Sequence, residues 1–312
     1  MRPRAGSMQS PSSPLVRHTM GGGAMFNYPL LYVEHLSEHD LDLIAEAAGA
    51  EEAAARLRAR LVERPELIDG LLATPRLFDL VFGRPEVAIG AQVTPFLTFG
   101  VLVNRSARDL QTASYVSEWA GPGRRLPVFD VASLREFLDG GGRRYFLIEH
   151  LTSFTRVASG STWVKTRKGY RRRRYSELDL VRLAELVDQL PPTQRPAGYR
   201  RLGDVALFLA GVFPDHTATH PLTVSERERL SRSAGVSSTS AAAADRHLAF
   251  LESAGAGWYR RAVDAAAAVV GAGPEPLRDV ASRFGTARRV LNFLADSYLY
   301  RFDSGLLRPT GC

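Results

Sequence analysis

Proline recurs at positions 65, 75, 85 and 95, each time after Arg or Thr and before an apolar stretch. Proline lacks a backbone N–H and clashes with the preceding helical turn. No long helix can therefore run through such a series, and none of these stretches reads as a central strand. Proline does suit the first turn of a helix, where the missing N–H has no partner to lose. The span 65–95 is thus expected to fold as short, tightly connected helices. A ten-residue period is too short for a stacking repeat, so no solenoid is implied.

Periodicity elsewhere is also mostly helical. Ser37 with Asp40 forms a capping box ahead of an apolar face of Leu41, Ile44, Ala45 and Ala48. Residues 51–64, rich in Ala, Arg and Glu, read as a second helix. Residues 124–130 are expected to be extended and 131–138 a short helix, with Gly140 to Gly142 as punctuation. Residues 143–158 place Leu147, Ile148, Leu151, Phe154 and Ala158 on one face, leaving Glu149 and His150 on the polar side. Ser176 with Asp179 suggests another capping box, opening a helix with Leu180, Leu183, Val187 and Leu190 inward, stopped by Pro191 and Pro192. Residues 199–213 are apolar nearly all round from Val205 and are expected to be central. A loop is predicted over 214–221 and helices over 222–232, 241–270 and 286–302. The last of these carries Ala287, Val290, Leu291, Leu294 and Tyr298 on one face.

Residues 159–175 break the pattern. Thr162, Trp163, Val164 and Thr166 favour a strand, Lys168-Gly169 suits a two-residue turn, and residues 170–175 return. The expected fold class is mostly α: a multi-helix globular protein with one small basic β-hairpin. A chain of 312 residues buries roughly 75% of its unfolded surface, so such a fold needs no staple. The organisation read from composition is a disordered tail over 1–24, a helical region over 25–115, a helix plus the basic hairpin over 116–175, and a helical region over 176–312. Met20 and Met25 are alternative starts.

The single cysteine, Cys312, excludes a disulfide framework and a cysteine-rich zinc site, and fits a cytoplasmic setting. No signal peptide is expected, because Gly21 to Gly23 interrupt the N-terminal apolar patch. Residues 87–103 carry no charge, but Gln92, Thr94, Pro95, Thr98, Gly90 and Gly100 make them a buried helix pair rather than a membrane span. The segment LGDVALFLAGVFP, Leu202 through Pro214, resembles one found in a set of uncharacterised bacterial helical proteins. That resemblance implies a helical fold and no activity.

Several chemical patterns are present only in outline. His35 and His39 match H-x-x-E-H, yet Ser37 is the better helix cap and leaves His35 outside the helix. Asp215, His216 and His220 lie in the expected loop, and Glu149 and His150 point about 100° apart on a helix. There is no G-x-S-x-G, no G-x-G-x-x-G and no Walker pattern. No catalytic residue, cofactor or metal is therefore expected. Residues 230–237 (LSRSAGVS) resemble the first half of a helix-turn-helix, but the following Ser and Ala run offers few base-reading side chains beyond Arg246.

Charge points to one place. Lys and Arg number 40 against 33 Asp and Glu, and residues 165–174 alone hold seven of the positive charges and no acid. These are Lys165, Arg167, Lys168, Arg171, Arg172, Arg173 and Arg174, interleaved with Trp163 and Tyr170. Clustered cations with aromatic faces among them suit phosphate neutralisation and base stacking. On a strand, Trp163, Lys165 and Arg167 would share one face. The function expected from the sequence is non-enzymatic nucleic-acid binding, regulatory in kind, through this hairpin. The alternative is a helical interaction or scaffold protein docking an acidic partner or an anionic membrane surface.

Overall fold

A computed structural model describes residues 28–49, 54–83, 93–155, 159–166, 169–237, 244–270 and 275–300. The chain begins with helices α1 (Tyr28–His35), α2 (Glu38–Ala47), α3 (Ala54–Glu63), α4 (Leu67–Leu72), α5 (Pro75–Phe82) and α6 (Pro95–Thr112). A short antiparallel pair follows, β1 (Val116–Trp119) with β2 (Arg125–Val128), then α7 (Ala132–Asp139) and α8 (Gly141–Thr152). The second pair is β3 (Ser159–Thr166) with β4 (Gly169–Ser176). Helices α9 (Leu180–Gln189), α10 (Arg195–Val212), α11 (Pro214–Thr219), α12 (Val224–Ala234), α13 (Ala244–Val270), α14 (Glu275–Ser282) and α15 (Phe284–Leu294) complete the fold, and a π turn at Ala295–Leu299 extends the last.

The fold is the mostly helical one expected, with the expected hairpin in place and a second, shorter hairpin, β1–β2, earlier in the chain. Pro75 and Pro95 occupy the first positions of α5 and α6, where no N–H is needed. Pro65 sits in the turn before α4, and Pro85 lies outside the described residues. Ser37 and Asp40 form both bonds of the capping box of α2, and Asp40 also accepts from the Thr94 backbone N–H and hydroxyl. One capping box thereby ties the start of α2 to the start of α6. Ala47 rather than Ala48 completes the buried face of α2.

Four details differ from the sequence reading. Asp179, not Ser176, caps α9: its carboxylate accepts from the Arg182 N–H, while Ser176 ends the β4 ladder. Residues 214–219 are a helical turn rather than a loop. The described part of the uncharged stretch is the first half of the single helix α6, not a helix pair. Gly141 and Gly142 lie in the first turn of α8 rather than interrupting the chain. The expected tail and Cys312 lie outside the described residues.

One hydrophobic cluster runs from Tyr32 in α1 to Tyr298 in the π turn. At its centre α10 lies against α13, α15 and α9, which explains why residues 199–213 are apolar nearly all round. A Cβ at position 203 would collide with the Tyr259 ring, so Gly203 is what lets α10 and α13 approach. Trp258 and Tyr259 of α13 are fully buried. Among the described residues, no helix is long and apolar enough to cross a membrane.

Candidate functional site

β3 and β4 form a two-stranded sheet by themselves, eight residues to a strand. The register pairs Trp163 with Arg172, Lys165 with Tyr170 and Ser161 with Arg174. Opposed residues share a face and alternate residues change face. One face therefore holds positions Ser161, Trp163, Lys165, Tyr170, Arg172 and Arg174. The other holds Thr162, Val164, Arg171, Arg173 and Tyr175. Period-two alternation thus splits the four consecutive arginines two to a face, and twice sets an aromatic position opposite a cationic one. Thr166 pairs with Gly169, so Gly169 belongs to β4 rather than to the expected Lys168-Gly169 turn. Arg167 and Lys168, between them, lie outside the described residues.

Glu177, directly after β4, joins a polar cluster built by α8, α10 and α13. Arg201 of α10 is mostly buried, and its guanidinium donates to Ser153 Oγ at 3.0 Å and to Glu177 Oε2 at 3.2 Å. It also lies 4.3 Å from the centre of the Phe154 ring, which in turn stacks on Phe208. Its neighbour Arg200 donates to Glu149 Oε2 at 2.6 Å and approaches Asp204. Tyr259 of α13 donates its hydroxyl to Asp204 at 2.8 Å.

His150 is buried inside this cluster, not on the polar side of α8 as the helical periodicity suggests. Its ring packs against Phe146, Phe154 and Phe208. Neither ring nitrogen has a hydrogen-bond partner, and Nδ1 lies 3.7 Å from Asp204. Burial lowers the His150 pKa; the nearby Asp204 carboxylate opposes that and is outweighed. Burial works against the Asp204 charge too, but the imidazole and Arg200 beside it hold the carboxyl below its ordinary range. Tyr259 is pushed up, by burial first and then by Asp204. The one cue to this cluster in the sequence is Asp204 itself: a carboxylate within an apolar run must find partners when the run is buried.

The surrounding arginines do not extend the cationic surface. Arg200 and Arg201 lie at the foot of the hairpin and are matched by Glu149, Asp204 and Glu177. Arg229 of α12 pairs with Glu185.

The other sequence patterns have structural roles. Gly235 takes a left-handed conformation (φ 69°) and caps α12, whose Ser233 accepts from Trp258 of α13. From His247 onward one face of α13 is packed into the core. His35 stacks on Phe96 and ends α1, outside the helix that carries His39. His216 and His220 lie 4.3 Å apart, ring centre to ring centre, but Asp215 turns away to Trp119, Gly123 and Arg125. Among the described residues, no group of three or more potential metal ligands occurs. Comparison with protein-family models, with curated proteins and with solved structures finds no match to this chain.

Proposed function

We propose that this protein is a non-enzymatic, regulatory nucleic-acid-binding protein of the cytoplasm that engages its ligand through the β3–β4 ribbon. The observation that carries this reading is the ladder register. It sets Lys165, Arg172 and Arg174 with Trp163 and Tyr170 on one face, and Arg171 and Arg173 on the other. The major groove of duplex DNA, about 12 Å wide, admits a two-stranded ribbon. A ribbon cationic on both faces addresses the phosphates of both groove walls, and phosphate contacts position a protein without reading sequence. The aromatic positions supply surfaces on which unpaired bases stack.

Salt dependence tests this. With about four to six phosphate contacts, log affinity against log salt for a duplex should slope at roughly −3.6 to −5.4. Replacing Arg171, Arg172, Arg173 and Arg174 together with serine should flatten the slope by up to about four contacts' worth and weaken all sequences alike. No binding by the parent protein at low salt, or an unchanged slope in the variant, overturns the reading. Loss confined to one sequence would replace phosphate contact by base recognition.

A further inference from the structure

An eight-residue two-stranded hairpin is marginal alone in water, and nothing in its own ladder determines how it stands on the body. The described residues on either side of the hairpin connect it to the body. Ser153 and Phe154 lead from α8 towards β3, and Glu177 directly follows the last residue of β4. The guanidinium of Arg201 holds all three: one nitrogen donates to the Ser153 hydroxyl, another to the Glu177 carboxylate, and the plane lies over the Phe154 ring. Arg201 is itself seated on the central helix α10, which packs against α13, α15 and α9.

The charge pattern bears on such a clip. Seven cations within residues 165–174 carry like charge on one short segment. Glu177 at the exit of β4 reverses the local sign where ribbon meets body. From these contacts we propose that Arg201 is a positioning residue that fixes the stance of the β3–β4 ribbon by tying Glu177, directly after β4, to the end of α8 that precedes β3. Its use in nucleic-acid binding rests on the function proposed above; the clip does not. Lysine cannot replace it fully, because one ammonium does not span two separate acceptors and stack on a ring as a planar fork does.

Hydrogen exchange on the full chain, read separately in the β3–β4 ladder and in α10 and α13, tests the clip without any ligand. In Arg201→Gln, ladder exchange should speed up about tenfold, with α13 unchanged. Arg201→Lys should fall between variant and parent. Glu177→Gln, which removes the partner charge but leaves the Phe154 stack, should move in the same direction and decides the matter if Arg201→Gln does not fold. Unchanged ladder exchange in Glu177→Gln and in a folded Arg201→Gln overturns the clip. Duplex DNA binding by the same variants should weaken about three- to tenfold with the parent's salt slope retained, since the ribbon's phosphate contacts survive and only their ordering is lost. A flatter slope in Arg201→Gln would make Arg201 a phosphate contact and overturn its positioning role. A loosened ladder beside a parent that never binds nucleic acid upholds the clip and sinks the binding function alone.

Discussion

The short hairpin β1–β2 is fastened to the helical body along its length. Trp119 donates its indole N–H to Asp215 of α11, Arg125 bridges Asp215 and Asp296, and Glu118 pairs with Arg289 of α15. The β3–β4 hairpin has strands twice as long, and among the described residues Glu177, directly after β4, bonds to Arg201 of α10. Two hairpins of one topology thus do different work. Four paired residues cannot stand alone, so β1–β2 exists because the body grips it. Eight paired residues to a strand form a longer ladder, and Glu177 directly after it is tied to the body through Arg201.

If that contrast is right, the same kind of damage has unequal consequences in the two hairpins. Trp119→Ala removes a buried ring and its bond to Asp215 and should cost about 3–5 kcal/mol in chemical unfolding. A cost under about 1 kcal/mol would show that β1–β2 does not depend on its docking.

Next in size is a pH effect centred at the foot of β3–β4. His150 has a folded-state pKa below its ordinary 6.5, so the unfolded chain binds the extra proton first. Its contribution to stability is complete above pH 6.5 and is lost as pH falls from there towards the depressed value, by up to about 1.4 kcal/mol per pH unit. Asp204, held low, keeps its contribution until pH falls below the ordinary 3.8, and so does Asp215 under β1–β2. Unfolding midpoints measured between pH 7 and 5 should therefore decline, and His150→Leu should make the decline shallower. His216 and His247, also lowered by burial, leave a residual slope. An unchanged profile in His150→Leu would remove the imidazole from the account.

The smallest effect belongs to the ribbon itself. Neutralising Arg171 through Arg174 should change unfolding free energy by no more than about 0.5 kcal/mol, as for surface changes, while transforming the salt dependence of binding. Unfolding of that variant would instead make the arginines structural and erase the distinction between the two hairpins.

Much of this was legible beforehand where the signal is local. The capping box of Ser37 and Asp40, the prolines at the starts of α5 and α6, and the face of Ala287, Val290, Leu291, Leu294 and Tyr298 all follow from spacing along a few turns. The β3–β4 hairpin was readable because its strands are long enough to show composition and charge. The β1 strand was not: Val116–Trp119 is too short for alternation to register, and its order comes from residues about a hundred positions away. Ser176 and Asp179 satisfy the same capping pattern, and only the ladder that claims Ser176 decides between them. His150 looks polar on its own helix because the ring's surroundings, Phe208, Asp204 and Tyr259, arrive on α10 and α13.

What the sequence by itself determined is that the fold is mostly helical, where some of its helices begin, that residues 165–174 carry the excess positive charge, and that the run containing Asp204 is central. These depend on backbone chemistry and on periods of two and 3.6 residues, which are properties of neighbours in the chain. The tertiary structure alone decided that Arg200, Arg201 and Arg229 are matched by acids, that His150 is buried beside Asp204, and that one guanidinium joins both feet of the ribbon. Pairing of charges depends on which helices meet. That is settled by the burial of apolar faces across the whole cluster, which does not depend on sign or spacing of charge.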